Sequence, residues 1–312
     1  MILEATSKVL PVLLLFLLGV FFRKSNFINE STISELKKVI VNFSLPSLLF
    51  LSFSKTNFEI KYLSIILSMF IICIGLLYIG KFLKTILKIK YDYFPLLFTG
   101  FEAGMLGYSL FSIAFGLENL FKFAVIDLGQ VIFVFFVMVG ILTRYKQSKI
   151  NYWDMFYSFI KTPVIIAIFL GIISQKAGLI NVFENSTILS AFLETIKLLS
   201  TLTVPLISII IGYEIRFKRD NLKVALLTVL LRNLLLLLIA LIINNFVFVK
   251  ILHLDKLFQA ALMTMFILPP PFIIPLYMKE DDNENKWFVS NVLAINTFSA
   301  IVLYIIIVSI YV

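Results

Sequence analysis

Residues 257–278 read LFQAALMTMFILPPPFIIPLYM, an apolar stretch with Pro269, Pro270 and Pro271 at its centre. Proline has no N–H and cannot continue an α-helix, so three in a row predict a break in the helix. In a lipid bilayer, irregular backbone is tolerated only where protein or a polar cavity covers it. The stretch therefore predicts a membrane-crossing segment that is interrupted at mid-depth and covered by the rest of the protein.

The whole chain has the composition of a membrane protein. Of its 312 residues 61% are hydrophobic and 14% are charged, and the mean hydropathy is +1.03, against about 45–50% and about 25% in soluble domains. One Cys and one His leave no ligand set for zinc, no disulfide framework and no Cys/His catalytic pair. The sequence also has no phosphate-binding loop. We expect neither an enzyme nor a protein with a metal or organic cofactor.

Ten apolar stretches are long enough to cross the bilayer, alone or as part of a broken helix. The first is followed directly by Arg23 and Lys24 without a cleavage pattern, so we interpret it as a membrane span and not as a signal peptide. The stretches are Val9–Phe22, Leu36–Phe53, Tyr62–Leu87, Tyr93–Leu117, Phe121–Leu142, Thr162–Ser174, Thr187–Tyr213, Leu222–Val249, Leu257–Met278 and Trp287–Val312.

Basic residues give this map an orientation. The odd-numbered connections carry 17 of the 27 Lys and Arg residues, the opposite side carries 7, and three lie in or near the stretches. By the positive-inside rule, the odd connections are cytoplasmic and both termini are extracytoplasmic. The net charge of +9 is then mostly a result of topology. The expected partner of the surface is the lipid of the cell membrane and not a nucleic acid.

An internal duplication divides the chain. Residues Pro11–Lys24 align without a gap on Pro163–Lys176, with Pro, Val, Leu, Gly and Lys in common. The copies lie in the first and the sixth stretches, an odd offset of five, so they face opposite ways, as an inverted repeat requires. We predict an all-α integral membrane fold with a five-helix repeat at 1–150 and an inverted copy at 151–312. The alternative is a chance likeness between lipid-facing helices.

The fourth stretch pairs with the ninth in this scheme and also contains helix-weakening residues. Gly100, Gly104, Gly107 and Ser109 surround Glu102. We predict a second break here, although a continuous helix that uses glycines for close packing is the alternative. Two broken helices that cross at the midplane would aim N–H groups and carbonyl groups at a bound anion and a neighbouring cation.

Charged residues at membrane depth are costly and usually face the interior. Glu102 is a candidate proton- or cation-linked group, since a protonated carboxyl relieves the cost of burial, with a structural bond as the alternative. Asp127, next to Gln130, is a candidate binding residue or a side chain wetted at the outer interface. Arg232 could snorkel to the cytoplasmic surface. Glu194 and Lys197 are expected to pair, and His253 to be solvated.

Polar residues beside prolines recur in the second and seventh stretches. They are Asn42 and Pro46 in the former and Thr203 and Pro205 in the latter. Their corresponding positions favour a shared cavity, although proline kinks with Ser and Thr are common for mechanical reasons.

The order of these motifs resembles the auxin efflux carrier family, including its bacterial malate and malonate permease-like branch. The matching segments are VNFSLP at 41–46, GMLG at 104–107, FG at 115–116, DLGQ at 127–130, VP at 204–205 with Gly212, and Pro269 onward. The resemblance implies ten helices, broken and crossing fourth and ninth helices, and a transport domain that moves against a scaffold. Family members commonly have Asn at the position of Glu102 and Pro at that of Ser109.

Two classes of carrier follow from these observations. One is a secondary transporter of a small mono- or dicarboxylate by alternating access, linked to protons through Glu102. The other is a sodium-coupled carrier of the bile-acid type, in which Glu102, Ser109, Asn291, Asn296 and Thr297 would supply oxygen ligands. The coupling ion would be H⁺ or Na⁺. Carriers of this kind often dimerise through the scaffold, and the sequence leaves a homodimer open.

Overall fold

A computed structural model describes residues 2–145, 151–216, 221–278 and 282–312. Within these ranges the chain is helical and contains no β-strand. We number the helices α1 to α12, and several of them include short π-helical or 3₁₀ turns. Their bounds are α1 Ile2–Lys24, α2 Glu30–Ser54, α3 Lys61–Ile86, α4 Phe94–Phe115 (interrupted), α5 Leu117–Tyr145, α6 Tyr152–Ile160, α7 Pro163–Lys176, α8 Leu179–Glu184, α9 Thr187–Glu214, α10 Leu222–Val249, α11 Lys256–Ile267 and α12 Asn283–Tyr311.

In the described part of the chain, seven helices are long and apolar enough to cross a membrane, or eight if the bent pair α6 and α7 forms one span. This makes the chain a multi-pass helical membrane protein. A helical segment lies in each of the ten predicted stretches, but α11 has only 12 residues. The ten-span 5+5 repeat therefore stays a prediction.

Two boundaries differ from those that hydropathy predicts. α1 begins at Ile2 and not at Val9, because helix continues through the polar residues that precede the apolar run. Helix α6 precedes the sixth stretch and meets α7 at 52°. Pro163 occupies the first position of α7 after an extended Thr162, and a proline with no N–H is favoured there while it prevents continuous helix.

Glycines bring two pairs of helices into close contact. α1 packs along the second half of α9, and α7 packs along the second half of α2. A Cβ on Gly19 of α1 would lie 2.0 Å from the Ile209 carbonyl oxygen, and one on Gly171 of α7 would lie 2.9 Å from the Phe50 carbonyl oxygen. Gly19 and Gly171 are the shared glycines of the duplicated segment. Both positions therefore need a residue without a side chain for the helices to approach.

The remaining long helices surround the interrupted segments. α3 packs against α5, α10 packs against α12, and α11 contacts α5, α10 and α12. The Tyr304 hydroxyl of α12 donates to the Leu110 carbonyl in α4 at 2.5 Å. On α10 the leucines at 230, 234, 238 and 241 are exposed whereas Arg232 is buried. One face of α10 is thus suited to lipid, and the other faces the interrupted segments.

Candidate functional site

The predicted break in α4 is confirmed. A 3₁₀ turn ends at Phe98, Thr99 is extended, and helical structure resumes at Ala103. Gly100 has a φ of +69°, which glycine adopts without the strain of a side chain. A Cβ there would lie 2.8 Å from Pro271 Cγ. Glycine is therefore required both by the backbone conformation and by the approach of the other broken segment.

The proline break is also confirmed. α11 ends at Ile267, Leu268 is extended, and the chain passes through Pro269–Pro271 to a 3₁₀ turn at Ile274–Tyr277. The prolines leave carbonyl groups without the helical donors they would otherwise receive. These carbonyls need partners from outside the segment.

Glu102 joins the two broken segments. Its backbone N–H donates to the Pro269 carbonyl at 2.9 Å. Its carboxyl oxygen Oε2 accepts from the Phe272 N–H at 2.7 Å, and Oε1 accepts from the Met105 N–H at 3.0 Å. The residue is buried, with 9% of its surface exposed. We call this set of bonds the Glu102 clamp, because one residue holds the start of one half-helix against the loop that follows the other.

Asp127 and Gln130 of α5 support the same crossing. The Gln130 side chain accepts from the Phe101 N–H at 3.1 Å and donates to the Phe101 carbonyl at 3.2 Å and to Asp127 Oδ1 at 2.7 Å. The Tyr108 hydroxyl donates to Asp127 Oδ2 at 2.7 Å. Asp127 is 4% exposed, so of its two interpretations the one of a side chain wetted at the outer interface is wrong. The fold brings the residue inward, and two side-chain donors replace water.

Arg232 of α10 contacts both breaks. Nη1 donates to the Leu97 carbonyl at 2.6 Å, and Nη2 donates to the carbonyls of Gly100 and Leu268, each at 3.1 Å. The Phe101 ring lies 5.3 Å from the guanidinium carbon. Arg232 is fully buried, so the expectation that it snorkels to the cytoplasmic surface is wrong. Nine residues of helix lie between it and Leu222, where α10 begins, and the carbonyls of the breaks are nearer partners.

Other predicted residues lie close to the crossing. Gly107 faces Phe123 and Leu268, where a Cβ would be 2.5 and 2.7 Å from their side chains. A Cβ on Gly104 would lie 3.8 Å from Glu102 Oε1. Asn296 of α12 donates to Asn233 Oδ1 of α10 at 3.0 Å. Asn291 is fully buried on α12.

The hydroxyls of Ser109 and Thr203 are buried, and neither finds a hydrogen-bond partner among the described residues. Neighbouring helices bring both to the interior, since α9 packs against the broken α4. They are therefore available to a bound polar solute or water.

Asn42, Pro46 and Pro205 do not join the crossing. The Asn42 side chain is exposed and donates to the Lys38 carbonyl of its own helix at 2.8 Å. Pro46 is buried inside α2 and Pro205 is half-buried inside α9. The shared-cavity role of Asn42 is not supported by its position, because its amide satisfies the preceding helical turn. Pro46 and Pro205 both lie near the start of helical segments.

Two simpler expectations are confirmed. Lys197 Nζ lies 2.5 Å from Glu194 Oε1 on an exposed helix face. His253 is exposed in the connection that precedes α11. Neither residue contributes to the crossing.

A cavity of about 290 Å³ approaches the Glu102 clamp. Phe272, whose N–H binds Glu102, forms part of its wall, and Thr297 and Pro275 line it farther along. At the mouth, Lys37 pairs with Glu214 at 2.5 Å, and Arg216 pairs with Glu30 at 2.5 Å. The volume is near the lower end of the roughly 300–1,000 Å³ of ligand pockets. The cavity and the Glu102 clamp share Phe272, so a small solute in the cavity would lie beside one residue of the crossing.

Comparison with known proteins gives one relevant likeness. The chain is 27% identical over 214 residues to Uncharacterized transporter MJ1031 of Methanocaldococcus jannaschii, an alignment that spans 66% of this chain and 68% of that protein. No family model matches the chain. The apolar helices and this likeness together support a membrane transporter.

Sequence reasoning missed the part played by Arg232, the Phe272 N–H and Tyr108. An arginine in the middle of an otherwise apolar helix was the available signal, because such a charge usually faces the protein interior. The Phe272 N–H could not be found in this way, since every residue but proline carries the same group. Only the path of the chain after the prolines selects it.

Proposed function

We propose that the protein is a secondary transporter of a small organic anion that works by alternating access. The observation that carries this proposal is the hydrogen-bonded crossing of two broken helices at Glu102 and Pro269, beside a cavity that shares Phe272 with the Glu102 clamp. Discontinuous helices that meet near the bilayer midplane are the usual binding sites of secondary transporters. We place the protein with the auxin efflux carriers, in the malate and malonate permease-like branch.

The same proposal includes ten crossings in the cell membrane with both termini outside. Ion pairs support the map. Lys37 with Glu214, Arg216 with Glu30, and Lys90 with Glu284 each join segments assigned to the cytoplasmic side. Lys122 pairs with Asp255 at 2.5 Å, and both belong to the outer side. A miscount of one crossing between two paired residues would have placed them on opposite sides of the bilayer.

Packing supports the inverted repeat. Under the 5+5 scheme α1 corresponds to α7 and α2 to α9. The contact of α1 with α9 then has its counterpart in the contact of α7 with α2. Likewise α3 on α5 corresponds to α10 on α12. Two halves that exchange partners in this way are what a two-fold axis in the membrane plane produces.

The Glu102 clamp suggests how a proton is linked to transport. Both carboxylate oxygens accept backbone N–H groups from the two broken segments. Protonation of one oxygen weakens its hydrogen bond, because an O–H group replaces an acceptor lone pair. A loosened clamp frees the N–H of Phe272, a residue of the cavity wall. An incoming carboxylate can accept from that group in place of Glu102.

Uptake by proteoliposomes tests the proposal. Labelled malate, malonate, pyruvate and indole-acetate are offered with and without a pH gradient or a sodium gradient, to the native protein and to Glu102→Gln. We expect saturable uptake of a carboxylate that follows the pH gradient, and loss of that dependence in Glu102→Gln. Glu194→Gln, an exposed carboxylate on α9, is the matched control and should keep the pH dependence.

The outcomes separate the alternatives. Uptake driven by sodium and not by the pH gradient would favour the bile-acid type of carrier. No movement of any carboxylate by folded protein, under either gradient, would exclude the anion proposal.

A further inference from the structure

Both broken segments expose carbonyl groups at the crossing, and one cation from the chain occupies them. The Leu97 carbonyl belongs to the 3₁₀ turn Phe94–Phe98, that of Gly100 lies in the break of α4 and that of Leu268 ends α11. Carbonyls at the ends of half-helices carry partial negative charge and are the groups that bind coupling cations in carriers with broken helices. In this protein, all three accept hydrogen bonds from Arg232.

The fit is that of a bound cation. Three N–H···O contacts of 2.6–3.1 Å hold the guanidinium, and the Phe101 ring covers it at 5.3 Å. A ring face next to a cation adds to its binding. Arginine is not deprotonated in proteins, so this positive charge is permanent. A metal cation at the same carbonyls would meet both the side chain and its charge.

We propose that Arg232 is a built-in cation that replaces a coupling sodium ion at the crossing. The inference rests on the proposed function and deepens it, because it assigns transport at the crossing as independent of sodium. It also removes a set of carbonyl ligands that the sodium-coupled alternative would need. Sodium binding is measured without any substrate. This inference can therefore fail while carboxylate transport is confirmed, and carboxylate transport can fail while this inference is confirmed.

The test measures binding of ²²Na⁺ to purified protein in nanodiscs, with choline as the replacement cation. We expect no saturable ²²Na⁺ binding to the native protein. We also expect no rise in its melting temperature when sodium replaces choline. Saturable binding by the native protein, or a sodium-dependent rise in that temperature, would overturn the proposal whatever any variant does.

Two variants sharpen the result. Arg232→Met keeps much of the side-chain length and removes the charge, which leaves the three carbonyls open. Lys223→Met removes an exposed charge from the same helix and is the control. We expect folded Arg232→Met to gain saturable ²²Na⁺ binding and Lys223→Met not to gain it. Folded Arg232→Met without saturable ²²Na⁺ binding would contradict the assignment, whatever its melting temperature.

Discussion

Replacing Gly19 by alanine tests the helix contact on which the fold depends. The new Cβ would lie 2.0 Å from the Ile209 carbonyl oxygen and 2.9 Å from the Tyr213 backbone nitrogen. Ordinary van der Waals contact begins at 3.4 Å. To lengthen the 2.0 Å distance to that value, α1 and α9 would have to separate locally by about 1.4 Å. The obstacle is backbone in a helix and cannot rotate away. We therefore expect Gly19→Ala to be less stable than the native protein.

The size of the effect follows from comparison with a glycine in open space. Overpacking a well-packed contact costs about 1–3 kcal/mol, whereas alanine gains up to about 1 kcal/mol over glycine in a helix. Gly75 of α3 has nothing within 4 Å of an added Cβ, so Gly75→Ala shows only the gain. We expect Gly19→Ala to be less stable than Gly75→Ala by about 1–3 kcal/mol.

Thermal unfolding in one detergent, followed by the loss of monodisperse protein on size exclusion, measures the difference. Gly171→Ala should fall between the other two, because its nearest contacts are 2.8 Å from Phe53 Cβ and 2.9 Å from the Phe50 carbonyl oxygen. Equal melting temperatures for Gly19→Ala and Gly75→Ala would refute the close approach of α1 and α9. That result would also remove the packing argument for an inverted repeat.

Three further predictions concern the crossing and the topology. Glu102→Ala leaves the Phe272 and Met105 N–H groups without acceptors, and each orphaned donor costs about 1–3 kcal/mol. This variant should therefore unfold at a lower temperature than Glu102→Gln, which keeps one acceptor oxygen. Equal melting temperatures of the two variants would argue against the clamp. Asp127→Ala removes the acceptors of both the Tyr108 hydroxyl and the Gln130 amide, so its melting temperature should fall while that of the exposed Glu194→Gln stays unchanged. In sealed cells a membrane-impermeant maleimide should label Asn185→Cys but not Ser25→Cys. The native protein should stay unlabelled, because Cys73 is fully buried. Labelling of Ser25→Cys from outside would reverse the predicted orientation.

The sequence by itself determined that the protein is helical, that it lies in a membrane and that one helix breaks at Pro269–Pro271, and it favoured a second break in the fourth stretch. Apolar composition, runs of about 20 residues and consecutive prolines act through local chemistry, since a backbone without water must satisfy itself within a helix. The glycine-rich break at Gly100–Glu102 was also readable, because Gly weakens helix wherever it occurs. The pairing of Glu194 with Lys197 followed from helical spacing alone.

Only the tertiary structure decided what the buried charges contact. Sequence could place Arg232 and Asp127 at membrane depth, but not turn them inward, because the direction of a side chain depends on which helices pack beside it. The Glu102 clamp needs residues 170 positions apart to meet at 2.7 Å, and no local pattern encodes that distance. The partners of Glu102 and Arg232 are mainly backbone groups, which every residue has. The fold selects among them through the path of the chain, and so determines which charges belong to the crossing.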